Sequence, residues 1–118
     1  MIGQKAYASF LKINGTHGTE YRINLNKTAA RLLEGVKKVD IGKSENYIVL
    51  FPVAEHSAFG LNVSTINNNP SLAMTRLVKH YGFIPKELFD STRYAVKRGK
   101  VGDNRVFICL KEVVTYDD

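Results

Sequence analysis

The chain has no tryptophan, one cysteine and three prolines among 118 residues. A single Cys excludes an internal disulfide framework and any Cys-rich zinc site. Acidic residues are scarce: 11 Asp and Glu stand against 17 Lys and Arg, giving a formal net charge of +6. Long apolar runs are missing too. The longest, Tyr47 to Ala54, is interrupted by Pro52 and falls far short of the about 20 residues a bilayer-crossing helix needs. The opening Met1-Ile2-Gly3-Gln4-Lys5-Ala6-Tyr7 has no apolar core of a secretory signal, so a soluble, cytoplasmic protein is expected. The Asn-x-Ser/Thr triplets at Asn14, Asn26 and Asn62 then carry no glycan.

Motifs of catalysis are equally sparse. Neither G-x-G-x-x-G nor G-x-x-x-x-G-K-[ST] occurs, and there is no serine elbow. His17, His56 and His80 stand at no ligand spacing with one another, with Cys109 or with a carboxylate. Cys109 lies in Val106-Phe107-Ile108-Cys109-Leu110, an apolar strand that raises a thiol's pKa rather than activating it. No enzyme activity, cofactor or metal is expected.

What remains is ordinary globular material: 44% apolar and 24% charged residues, enough for one domain spanning 1–118 with one core. Residues 6–13 alternate loosely as a strand, and Asn14-Gly15 and His17-Gly18 turn it. Tyr21, Ile23 and Leu25 form the buried face of a second strand. Asn26 caps a short helix closed by Gly35. Val36, Val39 and Ile41 lead through a polar turn into Tyr47-Ile48-Val49-Leu50-Phe51, apolar on both faces and so read as a central strand.

Residues 59–63 suggest a further short strand, and Asn67-Asn68-Asn69 a polar loop. Asn69-Pro70 reads as the start of the clearest helix, with Ala73, Met74, Leu77, Val78 and Tyr81 as its stripe and Gly82 as its stop. Ile84 to Phe89 adds a short helical turn. Arg93 to Arg98 and Arg105 to Leu110 pair as a hairpin around 99–104. The expected fold is α+β: small twisted antiparallel sheets around a barrel-like core with two short helices. The order can also be divided into β-α-β-β pseudo-repeat halves, 6–56 and 59–116.

Charge is concentrated in two places. Residues 22–43 hold Arg22, Lys27, Arg31, Lys37, Lys38 and Lys43 against two acids, and residues 93–105 hold Arg93, Lys97, Arg98, Lys100 and Arg105 against Asp103 alone. Clustered cations bind phosphates by counterion release, although Lys on a strand edge also serves to block edge-to-edge pairing. Phe10, Tyr47, Phe51, Phe59, Phe83 and Phe107 sit in apolar surroundings and are assigned to the core. Tyr21 and Tyr94 neighbour Arg22 and Arg93; Tyr at a strand position is first of all a good β-former, and as the alternative, exposed rings there would stack unpaired bases.

The stretch Arg22-Ile23-Asn24-Leu25-Asn26-Lys27-Thr28-Ala29-Ala30-Arg31-Leu32-Leu33, with Val36, Val39, Ile41 and then Ile48-Val49-Leu50-Phe51-Pro52, resembles the AbrB-like (SpoVT/AbrB, swapped-hairpin) DNA-binding domain over residues 22–52. That family runs R-I-x-I-P-K into a short helix and two strands. The resemblance implies an intertwined β fold, a homodimer and a transcriptional regulator binding double-stranded DNA. It assigns DNA contacts to Arg22, Lys27 and Arg31. Asn26 stands where the family has Pro, Ala30 replaces a basic helix position, and Lys37-Lys38 replaces the usual Gly-Asp turn. A second Ile-Pro-Lys-Glu-Leu run occurs at Ile84 to Leu88, with Phe89 and Asp90 at the basic positions.

The functional expectation is therefore a non-catalytic DNA-binding protein of AbrB-like type. Its contacts would be Arg22, Lys27, Arg31, Lys37 and Lys38, aided by Arg93, Lys97, Arg98 and Lys100. The alternatives are a single-stranded DNA-binding protein of a virus or mobile element, stacking bases on Tyr21, Tyr94 and Tyr47, or an inhibitor or adaptor whose basic hairpin meets an acidic protein partner.

Overall fold

A computed structural model of the chain describes residues 5–57, 60–100 and 104–115. Phe59, the turn residues 101–103 and the acidic tip at 116–118, all of which figure in the sequence reading, lie outside the described residues. The strands are β1 (Tyr7–Gly15), β2 (Gly18–Leu25), β3 (Lys38–Lys43), β4 (Tyr47–Pro52), β5 (Leu61–Asn62), β6 (Ser64–Ile66), β7 (Asn69–Ala73), β8 (Arg93–Arg98) and β9 (Val106–Val113). Helix α1 (Lys27–Ala30) runs into a 3-10 turn at Arg31–Leu33, α2 spans Thr75–Lys79, and a second 3-10 turn occupies Lys86–Leu88.

All nine strands belong to one antiparallel sheet, in the order β5-β3-β4-β9-β8-β1-β2-β7-β6. This corrects the expected α+β arrangement of small sheets around a barrel-like core with two helices. The helical pieces are single turns, too short to cover a sheet face. Residues 6–56 and 59–116, the two halves of the pseudo-repeat reading, contribute strands to this one sheet. Their strands interleave through the pairs β1–β8, β2–β7 and β4–β9.

A nine-stranded sheet without helical layers must cover its apolar face with itself. The chain connectivity shows how. β5 and β6 stand at opposite edges of the strand order, yet only Val63 separates them. The sheet is open, with no β5–β6 pairing among the described residues, but it bends enough for Val63 to link its two edge strands. Its inner face collects Ala8, Phe10, Ile23, Leu25, Val39, Ile48, Leu50, Leu72, Val106 and Ile108 into one core, all fully or almost fully buried. Strand alternation does the sorting, since every second side chain points inward.

An aromatic group plugs one side of that core. Phe10 lies 5.2 Å from Phe89 and 4.9 Å, edge-on, from Tyr94, and Tyr21 meets Phe89 edge-on at 5.1 Å. Such pairs add about 0.5–1.5 kcal/mol each beyond burial. Tyr21 and Tyr94 are thus core residues, 5% and 7% exposed. That overturns their reading as exposed stacking rings. Burial also raises the Tyr94 phenol above its ordinary pKa, reinforced by the charge of Asp90.

The helix expected from Asn69-Pro70 onward begins as strand over Asn69–Ala73. Asn67 and Asn68 both adopt positive φ, 53° and 67°, and turn the chain tightly between β6 and β7. Ile66 then pairs with Asn69, and Thr65 with Pro70. Only Thr75–Lys79 is helical, and Tyr81, expected on its buried stripe, is 67% exposed. Asn26 caps α1 as expected: its Oδ1 accepts from the Ala29 and Tyr7 amides at 3.0 Å each. It thereby ties the start of α1 to the start of β1.

Candidate nucleic-acid interface

The outer face of the sheet, opposite the core, follows from register. On β8 and β9 the outward residues are Arg93, Ala95, Lys97, Phe107 and Cys109, because Tyr94, Val96, Val106 and Ile108 point inward. On β4 the outward residues are Tyr47, Val49 and Phe51. Cross-strand pairing places Tyr47 beside Cys109, and Val49 beside Phe107, which in turn faces Lys97. A strand apolar on both faces thus puts one apolar row on the surface.

Two rings dominate this row. Tyr47 is 42% exposed and meets Phe107 edge-on, with centroids 5.7 Å apart and planes at 80°. The Arg105 guanidinium stands over the Phe107 ring at 5.2 Å. Phe107 is therefore held between a cation and an aromatic edge, and Tyr47 is the more open ring. Both were assigned to the core from sequence; the structure puts them outside. A cavity of about 450 Å³ opens beside them, lined by Tyr47, Phe107, Cys109, Lys97, Arg98 and Lys100 among others. The hairpin cations of the sequence reading thus line the same hollow as an exposed aromatic pair.

Lys97 is partly committed. Its ammonium donates to Glu112 at 3.0 Å, which raises its pKa and keeps it charged. Exposed pairs of this kind contribute little to stability, so Lys97 is free to exchange Glu112 for a phosphate. Cys109, 6% exposed, forms a small outer cluster with Ala95, Val114 and the partly buried Tyr7. Burial pushes its thiol pKa up, opposed by the nearby Lys97 charge. It contributes apolar floor, not a nucleophile.

The remaining cations are dispersed. Arg93 lies over the Tyr7 ring at 4.6 Å, farther along the outer face. Arg22 is held on that face by Ser71: its Nε donates to Oγ at 2.8 Å, and the buried Ser71 hydroxyl donates to Asn24 Oδ1. Arg22 pairs with Leu11 and Arg93 with Ser9, which are successive outward positions on β1. Arg22 and Arg93 thus flank β1 on its two sides, with that strand between them. Lys38 turns away and donates to the Ser57 carbonyl. Lys27, Arg31 and Lys37 line a different cavity, of about 490 Å³, beside α1.

The sequence reading found the hairpin cations but missed Arg105 as a partner of Phe107, and missed the outward pair itself. The usable signal was Tyr47 and Phe107 each alternating with a core Ile, Ile48 and Ile108. Among the described residues there is no group of three or more His, Cys, Asp and Glu able to hold a metal ion. Among them, too, no helix is long and apolar enough to cross a membrane. Comparisons with protein-family models, with curated proteins and with solved structures gave no match.

Proposed function

We propose that this chain is a non-catalytic nucleic-acid-binding protein that holds a single strand on the outer face of β4, β8 and β9. The observation that carries this reading is the exposed Tyr47 ring, braced on Phe107 and lining one hollow with Lys97, Arg98 and Lys100. An aromatic face stacks a base for about 1–3 kcal/mol and is indifferent to its identity. Cations alongside take the phosphates. A base reaches the ring only when it is unpaired, so duplex is disfavoured.

An AbrB-like mode on duplex DNA would need Arg22, Lys27 and Arg31 to act together. Arg22 is fastened to Ser71 on the outer face, whereas Lys27 and Arg31 line the cavity beside α1. Their separation favours the single-strand reading.

Fluorescence anisotropy with an oligothymidylate and a duplex of equal length, at two salt concentrations, tests the proposal. Tighter binding of the single strand is expected. Its log affinity should fall with log salt at a slope of about −3, as for four neutralised phosphates. Preference for duplex returns the reading to the AbrB-like mode. Absence of binding to either at low salt removes nucleic acid and leaves an acidic protein partner.

A further inference from the structure

The cavity beside α1 shares no lining residue with the Tyr47 hollow. It forms where the two edges of the sheet come together. One wall is α1 and its continuation, with Lys27, Arg31, Glu34 and Lys37; the other is Val63, Thr65, Asn68 and Pro70 from the chain joining the edges. Lys27 and Arg31 are four residues apart, which places them on one side of this helical segment. Lys37 approaches from the loop that follows. All three are exposed, and none makes an ion pair or side-chain hydrogen bond with another described residue.

The charge count is specific. Three cations against the single carboxylate of Glu34 leave a net +2 around the hollow. Leu33, Val36, Val63 and Pro70 supply an apolar lining, and Thr65 and Asn68 add neutral polar groups. We propose that this cavity binds a phosphomonoester dianion carried on a ring-sized body. The dianion matches the net charge, whereas a phosphodiester carries half of it. Val36, Val63 and Pro70 leave an apolar part of the wall for a ring-sized group beside the phosphate, in a hollow of about 490 Å³. Arg31 supplies the planar fork suited to phosphate, and the two lysines act as point charges.

A free mononucleotide and the phosphorylated 5′ end of a strand offer this same chemistry. The test is calorimetric titration of the full chain with AMP, adenosine and inorganic phosphate. It is accompanied by anisotropy with 5′-phosphorylated and 5′-hydroxyl oligothymidylate. AMP is expected to bind saturably, with adenosine and phosphate each about tenfold or more weaker. Arg31→Ala with Lys37→Ala should weaken AMP by about tenfold or more, as loss of charged hydrogen bonds implies. Lys12→Ala, which removes an exposed cation lining neither cavity, should leave it unchanged.

Preference for AMP over adenosine identifies a free nucleotide as the source. No AMP binding, but a 5′-phosphate preference abolished by the double variant, identifies a strand end. Neither preference overturns the proposal, as does an AMP affinity that the double variant leaves intact. The double variant assigns the AMP affinity to this cavity and not to the Tyr47 hollow, because the two share no lining residue.

Discussion

Truncating Tyr47 to alanine separates the two jobs an aromatic residue can do in this protein. In the fold, the ring is 42% exposed and its main aromatic contact is Phe107 at 5.7 Å. Losing an edge-to-face pair costs about 0.5–1.5 kcal/mol, and the exposed half of the ring adds little more. In binding, the same ring is the open face of the proposed site. Losing one stacked base costs about 1–3 kcal/mol, which is about a 5- to 150-fold weaker affinity. Tyr47→Ala should thus bind oligothymidylate poorly while unfolding in urea near the parent midpoint.

Tyr47→Phe should keep most of the affinity, because stacking uses the ring and not the hydroxyl. Tyr94→Ala is the converse control. That ring is 7% exposed and packs edge-on against Phe10 at 4.9 Å, so its removal costs about 3–5 kcal/mol of stability. Anisotropy and urea titration on the same preparations read both quantities. A Tyr47→Ala protein that folds normally and binds the strand as tightly as the parent would refute the assignment of this ring.

Two further expectations concern the fold itself. Gly60→Ala should destabilise the protein by about 2 kcal/mol or more in urea unfolding. Its φ is +105° and an added Cβ would stand 2.8 Å from the Val39 carbonyl oxygen, a backbone atom with no room to yield. An unchanged midpoint would mean that β3 does not approach this residue so closely. Cys109 should react slowly with iodoacetamide at neutral pH, since burial holds its thiol protonated. Because the folded pKa lies above the unfolded one, the stabilising contribution is complete below about pH 8.5 and is lost as pH rises through the folded value. Cys109→Ala should flatten that alkaline decline, and an identical slope in the variant would assign the decline elsewhere.

Local chemistry was readable where local chemistry decides. Alternation gave β2, a short run apolar on both faces gave β4, the Asn26 cap gave α1, and the Gly-rich turns gave the β1–β2 and β8–β9 hairpins. The chain from Asn69 to Tyr81 was misjudged because Pro after Asn is a helix-opening signal. In this context the preceding Asn67-Asn68 pair takes positive φ and makes a hairpin instead. Pairing of β7 with β2, across a sequence separation of about fifty residues, then holds Leu72 and Ser71 in the sheet.

The candidate site was legible only in pieces. Lys97, Arg98 and Lys100 stood out by density of charge. Tyr47 was read both as core and, in the single-strand alternative, as a stacking ring, because an apolar row reads the same whether a second layer covers it or not. That β4 lies next to β9, and so brings Tyr47 to Phe107, is set by long-range pairing that no local pattern encodes. The first basic cluster shows the same effect. Spread over residues 22–43, its Arg22, Lys38 and the Lys27, Arg31 and Lys37 group divide among Ser71, Ser57 and the cavity beside α1 once the sheet forms.

The most direct measurement of the central claim is an amide chemical-shift titration of the full chain with oligothymidylate. The account predicts shifts concentrated at Tyr47, at 97–100 and at 105–109, with the buried aromatic group at Phe10, Tyr21 and Phe89 unmoved. Saturating shifts that spare Tyr47 and Phe107 and gather elsewhere on the sheet would contradict it.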